Sequence, residues 1–314
     1  DNENIMKTFF RICDNKLYGI QSENIGFPVT NPSYIPDDYL ENGEFVVMRT
    51  CHGIGDWCII SAIPRLLKEK YPSCKVYVPN SKMLKTIFGD MLNNWGYGTF
   101  DSSTISEVVF NNNPYVDEFI DGYNGEIFHD HYRIFDENND KISLTKQMMT
   151  FWQFHEEEMI DTSPDFYPTK DECETTSLFL LDNKISRYSY ISVSSTFDNT
   201  AESNLLIDKI KEVDEDMRWL YYGESPLKNT SLNFLNAIEL KDLNFSIREQ
   251  QTLKINAEYN FGNETGMNLW TPKYSKTYVI GNKYYGPIHG GKNEGKIRKR
   301  PFKSGNFIDG VKYL

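Results

Sequence analysis

The sequence predicts a two-domain α/β protein in which two Rossmann-like halves face one another across a cleft. Three observations lead there. The chain has 314 residues, and domains usually run to about 100–200 residues, so two are expected. A strand, glycine-containing loop, helix and second strand follow one another over residues 44–79. The same alternation restarts near residue 190, after a polar stretch (161–175, DTSPDFYPTKDECET) that reads as an inter-domain linker.

Taken in order, residues 1–43 read as an irregular, extended surface segment, with Pro28, Pro32 and Pro36 regularly spaced. Residues 44–50 (EFVVMRT) read as a buried strand. The loop 51–56 (CHGIGD) leads into 57–71, where Ile59, Ile60, Ile63, Leu66 and Leu67 recur at helical spacing. Pro64 should bend that helix or break its register. Residues 74–79 (CKVYVP) make the second strand of a βαβ unit, and such units imply a parallel sheet. Short strands are expected at 108–110 and 118–120, and a helix over 141–159.

In the second half, 190–194 (YISVS) reads as a strand, 195–204 as a polar loop, 205–213 as a helix, and 217–222 (MRWLYY) as a strand ending at Gly223. Ser246, with Glu249 three residues on, forms a capping-box signature for a helix over 247–255. A strand is expected at 257–261, a turn into a helix over 262–270, and a last clear strand at 278–281.

Composition narrows the function class. The net charge is −12, which disfavours non-specific binding to nucleic acid or anionic membrane. The five cysteines (Cys13, Cys51, Cys58, Cys74 and Cys173) form no C-x-x-C pair. They read as reduced thiols, not as a disulfide framework or a zinc site. His129 and His131 lie two apart, a spacing that suits a strand face better than a metal-binding helix turn. No apolar run approaches the roughly 20 residues of a membrane span. A cytoplasmic protein is expected.

Four constellations carry candidate chemistry. Gly53-Ile54-Gly55-Asp56 stands between a strand and a helix, where glycines permit a tight turn and close ligand approach. Asp56 there is either a helix N-cap or a general base facing the cleft. Glu264-Thr265-Gly266-Met267-Asn268 also joins a strand to a helix. Its backbone N–H groups suit a diphosphate, and Glu264 suits a ribose or sugar hydroxyl. Ser194, Ser195 and Thr196 offer hydroxyls after the first strand of the second half, near Gly223 after the next. Residues 292–303 form a basic tail in which Arg298, Lys299 and Arg300 are candidates for phosphate or acceptor contacts.

Together these segments resemble the heptosyltransferase family, glycosyltransferase family 9, of GT-B fold. Residues 50–79 are similar to that family's opening: a strand, a Gly-Asp loop, a helix ending in Lys68-Glu69-Lys70-Tyr71-Pro72, then a strand. Asn113-Pro114-Tyr115-Val116-Asp117-Glu118 resembles its P-x-V-D-E strand entry, and 246–269 its late helix–strand–turn signature. The resemblance implies inverting transfer of a sugar from a nucleotide-diphosphate donor to a hydroxyl acceptor. It implies Asp56 as the base, and Glu264, Thr265 and Gly266 as donor-holding residues. Three departures stand out: Glu264 stands where the family usually has aspartate, Leu269 occupies the position of a family histidine, with Asn268 the nearest polar substitute, and no lysine appears in 196–204.

The expectation is therefore an N-terminal acceptor domain over 1–165, a C-terminal donor domain over 175–285, and a basic tail over 286–314 packing back on the N-terminal half. No cofactor and no metal are expected, the nucleotide sugar being the substrate. The only D-x-D match, Asp214-Glu215-Asp216, follows a helix and not a strand. The acceptor is a glycan or another hydroxyl compound, with nucleic acid entering only as a modified acceptor. A non-catalytic nucleotide- or sugar-binding protein and a nucleotide-sugar epimerase are the alternatives.

Overall fold

A computed structural model of the chain describes residues 7–22, 43–49, 54–89, 92, 101–127, 146, 154–158, 161–192, 200–213, 217–222, 237–263, 266–280, 284–287, 297–299 and 310–314. The chain divides into two compact units. Among the described residues, the first ends at Tyr167 and the second begins at Pro168. Among the described residues, no helix is long and apolar enough to cross a membrane.

The first unit opens with strands β1 (Lys7–Cys13) and β2 (Lys16–Ser22), paired antiparallel. This corrects the irregular segment expected before residue 44. Asp14 and Asn15 both take positive φ, 48° and 62°, and such a two-residue turn matches the twist of a hairpin. Strand β3 (Glu44–Val46) leads to helix α1 (Ile54–Ile59), a 3-10 turn (Ile60–Ala62) and helix α2 (Ile63–Lys70). The register break is where Pro64 demands it: proline falls in the first turn of α2, where its missing N–H leaves no helical bond unmade.

Strand β4 (Lys75–Pro79), helix α3 (Ser81–Phe88), helix α4 (Ile105–Phe110), strand β5 (Glu118–Ile120) and strand β6 (Glu126–Ile127) follow. Strands β3, β4 and β5 pair in parallel in that order, while β6 pairs antiparallel with β1. Residues 108–110, expected as a strand, close α4 instead. Ile105, Val109 and Phe110 are buried, so the apolar face recurs at helical spacing.

Asp117 shows why its motif sits at the entry to β5. Its carboxylate accepts from Lys68 Nζ at 2.6 Å and from the Val76 backbone N–H at 2.8 Å. Burial opposes its charge, but these bonds and one from Lys75 hold its carboxyl below the usual range.

The second unit begins with helix α5 (Lys170–Asp182), so residues 170–175 are helical and not linker. The signal was local: Thr169 and Glu172 cap each other's backbone reciprocally. Strand β7 (Tyr188–Ser192), helix α6 (Thr200–Val213), strand β8 (Arg218–Tyr222), strand β9 (Ala237–Glu239), helix α7 (Ile247–Asn256), strand β10 (Tyr259–Asn263), helix α8 (Gly266–Leu269) and strand β11 (Lys276–Ile280) follow. Ser246 and Glu249 form the capping box expected for α7. Strands β12 (Tyr284–Pro287) and β13 (Ile297–Lys299) pair antiparallel, and β14 (Lys312–Tyr313) pairs with β11. The helix expected over 141–159 lies largely outside the described residues, and Glu156–Glu158 form a 3-10 turn.

Among the described residues, six strands form one parallel sheet in the order β14-β11-β10-β7-β8-β9. Side-chain alternation covers both of its faces. Ile191 and Trp219 pack on one face with Leu206, Ile207 and Ile210 of α6. Tyr188, Tyr190 and Leu220 pack on the other with Leu253 of α7. A parallel sheet buried on two faces is the expected product of repeated βαβ crossovers. The α/β class read from the sequence is the class observed.

Candidate functional site

The order of the six strands defines the site. From β7 the chain builds outward through β8 and β9, then returns to the other side of β7 and builds outward through β10, β11 and β14. The adjacent strands β7 and β10 are thus a topological switch point. In open α/β sheets ligands bind outside the carboxyl ends of the strands at such a point. Those ends are Ser192 and Asn263, aligned by pairing of Ser192 with Gly262.

Gly262 is fixed by sterics. A Cβ there would lie 1.9 Å from the Ser192 carbonyl oxygen and 2.2 Å from Asn268 Nδ2, so no other residue fits without displacing backbone. The space is occupied by a hydrogen bond: Asn268 Nδ2 donates to the Ser192 carbonyl at 2.9 Å. Asn268 Oδ1 accepts from Lys254 Nζ at 2.7 Å. This chain of contacts ties α7 through α8 to the end of β7.

Lys254 is unusual. It is 0% exposed, as is Asn268, whereas lysine is almost never fully buried without a charged partner. Its ammonium lies 4.6 Å from the centroid of the Tyr190 ring, a cation–π arrangement. Burial pushes its pKa down to about 7. The polar environment continues below. Asn260 Nδ2 donates to the Lys254 carbonyl and to Ser275 Oγ, while Asn260 Oδ1 and the Tyr190 hydroxyl are buried with no hydrogen-bond partner among the described residues.

The sequence candidates fall as follows. Gly266, Met267 and Asn268 form the first three residues of α8, directly beyond the carboxyl end of β10. Glu264 and Thr265, which connect them to β10, lie outside the described residues, as do Ser194, Ser195, Thr196 and Gly223. Asn268 is a clamp between protein groups, its oxygen on Lys254 and its amide nitrogen on Ser192. Arg298 and Lys299 belong to β13, and Arg300 lies outside the described residues, as do His129 and His131.

In the first unit, Ile54, Gly55 and Asp56 open α1, while Gly53 lies outside the described residues. Asp56 is the third helical residue, three positions beyond the N-cap position considered for it from the sequence. A carboxylate in a first helical turn is still favourable against the helix dipole. Below α1, Ser61 Oγ accepts from the Asp165 backbone N–H at 2.8 Å, and Arg65 Nε pairs with the buried Asp165 carboxylate at 2.8 Å.

Sequence reasoning missed Lys254, Gly262 and Ser192. No spacing marks Lys254: its helix carries no apolar stripe, and Gln251 and Thr252 are buried with it beside Leu253. Gly262 carried a weak signal, being a glycine inside a strand, which marks close backbone approach.

The fold defines an α/β protein built on parallel sheets, one of them doubly wound with a topological switch point between β7 and β10. Comparison with solved structures places it more narrowly. The chain is similar to a glycosyl transferase family 9 structure from Veillonella parvula, with a TM-score of 0.52 at 10% identity over 86% of this chain and 85% of that one. It also aligns with ADP-heptose lps heptosyltransferase II from E. coli, with a TM-score of 0.43 at 10% identity over 86% of this chain and 90% of that one. No family model and no curated protein sequence matches the chain. The fold is thus the one that the sequence resemblance implied.

Proposed function

We propose that this protein is an inverting glycosyltransferase that moves a sugar from a nucleotide-diphosphate donor to a hydroxyl acceptor. The observation that carries this is the β7–β10 switch point, with Gly266 opening α8 just beyond the carboxyl end of β10. The similarity in fold to a glycosyl transferase family 9 structure supports it.

In this mechanism Asp56 takes the proton from the acceptor hydroxyl as that oxygen attacks the anomeric carbon. The bond from that carbon to the diphosphate oxygen breaks on the opposite face, which inverts the configuration. Base assistance of this kind contributes about 10²–10⁴-fold. The leaving diphosphate gathers charge near the backbone N–H groups of Thr265, Gly266 and Met267, and preorganised donors stabilise such charge. Arg298, Lys299 and Arg300 are candidates to assist. No metal is required, and the acceptor is a glycan or similar hydroxyl compound, with nucleic acid entering only as an acceptor. Cys74 and Cys173, which form no disulfide, fit a cytoplasmic setting.

A thermal-shift screen of nucleotide sugars, followed by donor hydrolysis, tests this reading. A saturating donor at about 100 times its dissociation constant raises stability by about 2.7 kcal/mol. Gly266→Val should abolish nucleotide binding while the fold survives, because its side chain would block close phosphate approach. Undiminished nucleotide affinity in a folded Gly266→Val protein would move the donor site elsewhere. One observation favours a second reading, a non-catalytic nucleotide- or sugar-binding protein: the Asn268 side chain is committed to Lys254 and Ser192. Donor binding without slow donor hydrolysis would select it.

A further inference from the structure

Resting on the donor site just proposed, we infer that Lys254 is the positioning cation of that site: its ammonium, buried beneath the switch point and held by Asn268, takes its missing counter-charge from the diphosphate of a bound donor. Three observations converge on it. Lys254 is completely enclosed, yet its partners among the described residues are neutral: the Asn268 side-chain oxygen at 2.7 Å and the face of Tyr190. A buried charge is normally paired, because leaving it unpaired in a low-dielectric interior is costly. Its one hydrogen-bonded side chain among the described residues, Asn268, is in turn bonded to the Ser192 carbonyl at the carboxyl end of β7. The backbone of Lys254 lies at the start of β10, where its carbonyl accepts from Asn260, while its ammonium is tied through Asn268 to the carboxyl end of β7, the end where ligands bind in such sheets.

The groups around it leave the role open to a ligand. From β7, Tyr190 presents its ring, and Tyr188 donates its hydroxyl to the Leu253 carbonyl. Burial pushes both phenols far above their ordinary range, so neither ionises near neutrality. From β10 comes the neutral Asn260, and from α8 the neutral Asn268. On α7 itself, Arg248 is paired with Glu172 of α5 at 2.6 Å. No described carboxylate bonds to Lys254, and burial alone sets its depressed basicity.

The consequence is a proton linkage. An anion at the switch point favours the protonated ammonium, and by reciprocity protonation favours the anion. Binding is then strongest where Lys254 is already charged, below about pH 7. It weakens as pH rises, by up to about tenfold per unit, because each binding event must first take up a proton.

The test is titration calorimetry of the full chain with ADP, UDP, GDP and inorganic pyrophosphate, at pH 7.5 and 8.5. Each titration is run in two buffers of different protonation enthalpy, so that protons are counted. Wild type should bind at least one probe with uptake approaching one proton, about tenfold more weakly at pH 8.5. Lys254→Met should bind at least tenfold more weakly at pH 7.5 with no uptake. Lys254→Arg, always charged, should keep affinity and lose the uptake. Wild-type binding without proton uptake would mean that a carboxylate already pairs the lysine, Glu264 being near in sequence to Asn268, and overturns the inference while leaving the function standing. Unchanged affinity in a folded Lys254→Met protein does the same. Failure of wild type to bind any probe overturns both. If Lys254→Met does not fold, the wild-type proton count decides by itself.

Discussion

Lys254 Nζ donates to Asn268 Oδ1 at 2.7 Å, and neither residue has any exposure to solvent. The pair joins a helix on one face of the six-stranded sheet to the turn beyond its central strand. It has consequences for stability as well as for binding.

Burial depresses the Lys254 pKa from 10.5 to about 7. Between those values the unfolded chain binds more protons than the folded one, so stability should rise with pH through that window. The slope from this residue is at most about 1.4 kcal/mol per pH unit. Below about pH 7 both states are protonated and its contribution to the slope vanishes. Denaturant unfolding at pH 7, 8 and 9 should show the rise in wild type and lose it in Lys254→Met. An equal slope in both proteins would assign the pH dependence elsewhere.

Gly262→Ala should be damaging even though the change adds a single methyl group. Its Cβ would meet the Ser192 carbonyl at 1.9 Å, and that atom is backbone. Overpacking of this kind costs about 1–3 kcal/mol or more, and here relief requires β7 and β10 to separate. The expected result is a lowered midpoint of unfolding together with loss of nucleotide binding. A stable Gly262→Ala protein with normal affinity would show that the strand ends are more plastic than their packing implies.

Asp56→Asn separates catalysis from helix stabilisation. Asp56 is the third residue of α1, where losing a negative charge costs no more than about 1 kcal/mol. As general base, its replacement should lower turnover about 10²-fold or more with donor affinity little changed. Turnover and melting temperature of the variant are the measurements. Near-normal turnover in a folded protein would leave Asp56 a first-turn carboxylate and send the search for the base to Glu264 and His131.

Transfer should proceed undiminished in excess EDTA. The one D-x-D sequence, residues 214–216, follows the end of α6 at Val213, and a donor metal would be held at the carboxyl end of a strand. Activity that is lost to the chelator and restored by Mg²⁺ or Mn²⁺ would reveal a metal site.

Sequence by itself determined what is local. The βαβ alternation over 44–79, the capping box at Ser246 and Glu249, and the register break at Pro64 each depend on residues a few positions apart, whose backbone preferences act before any tertiary contact forms. The capping box at Thr169 and Glu172 and the Asp14-Asn15 hairpin turn were equally local, and were masked by the polar composition around them. The helix at 105–110 was misread because a short apolar run fits a strand as well as a buried helix. Tertiary structure alone decided the centre of the site. Lys254 lies 14 residues from Asn268, and Asn268 lies 76 from Ser192. They meet because the chain returns to place β10 beside β7, and because Gly262 leaves room for one amide between the two strands. The enclosed lysine acquires its perturbed chemistry from that burial, a property of the assembled sheet and of no segment within it.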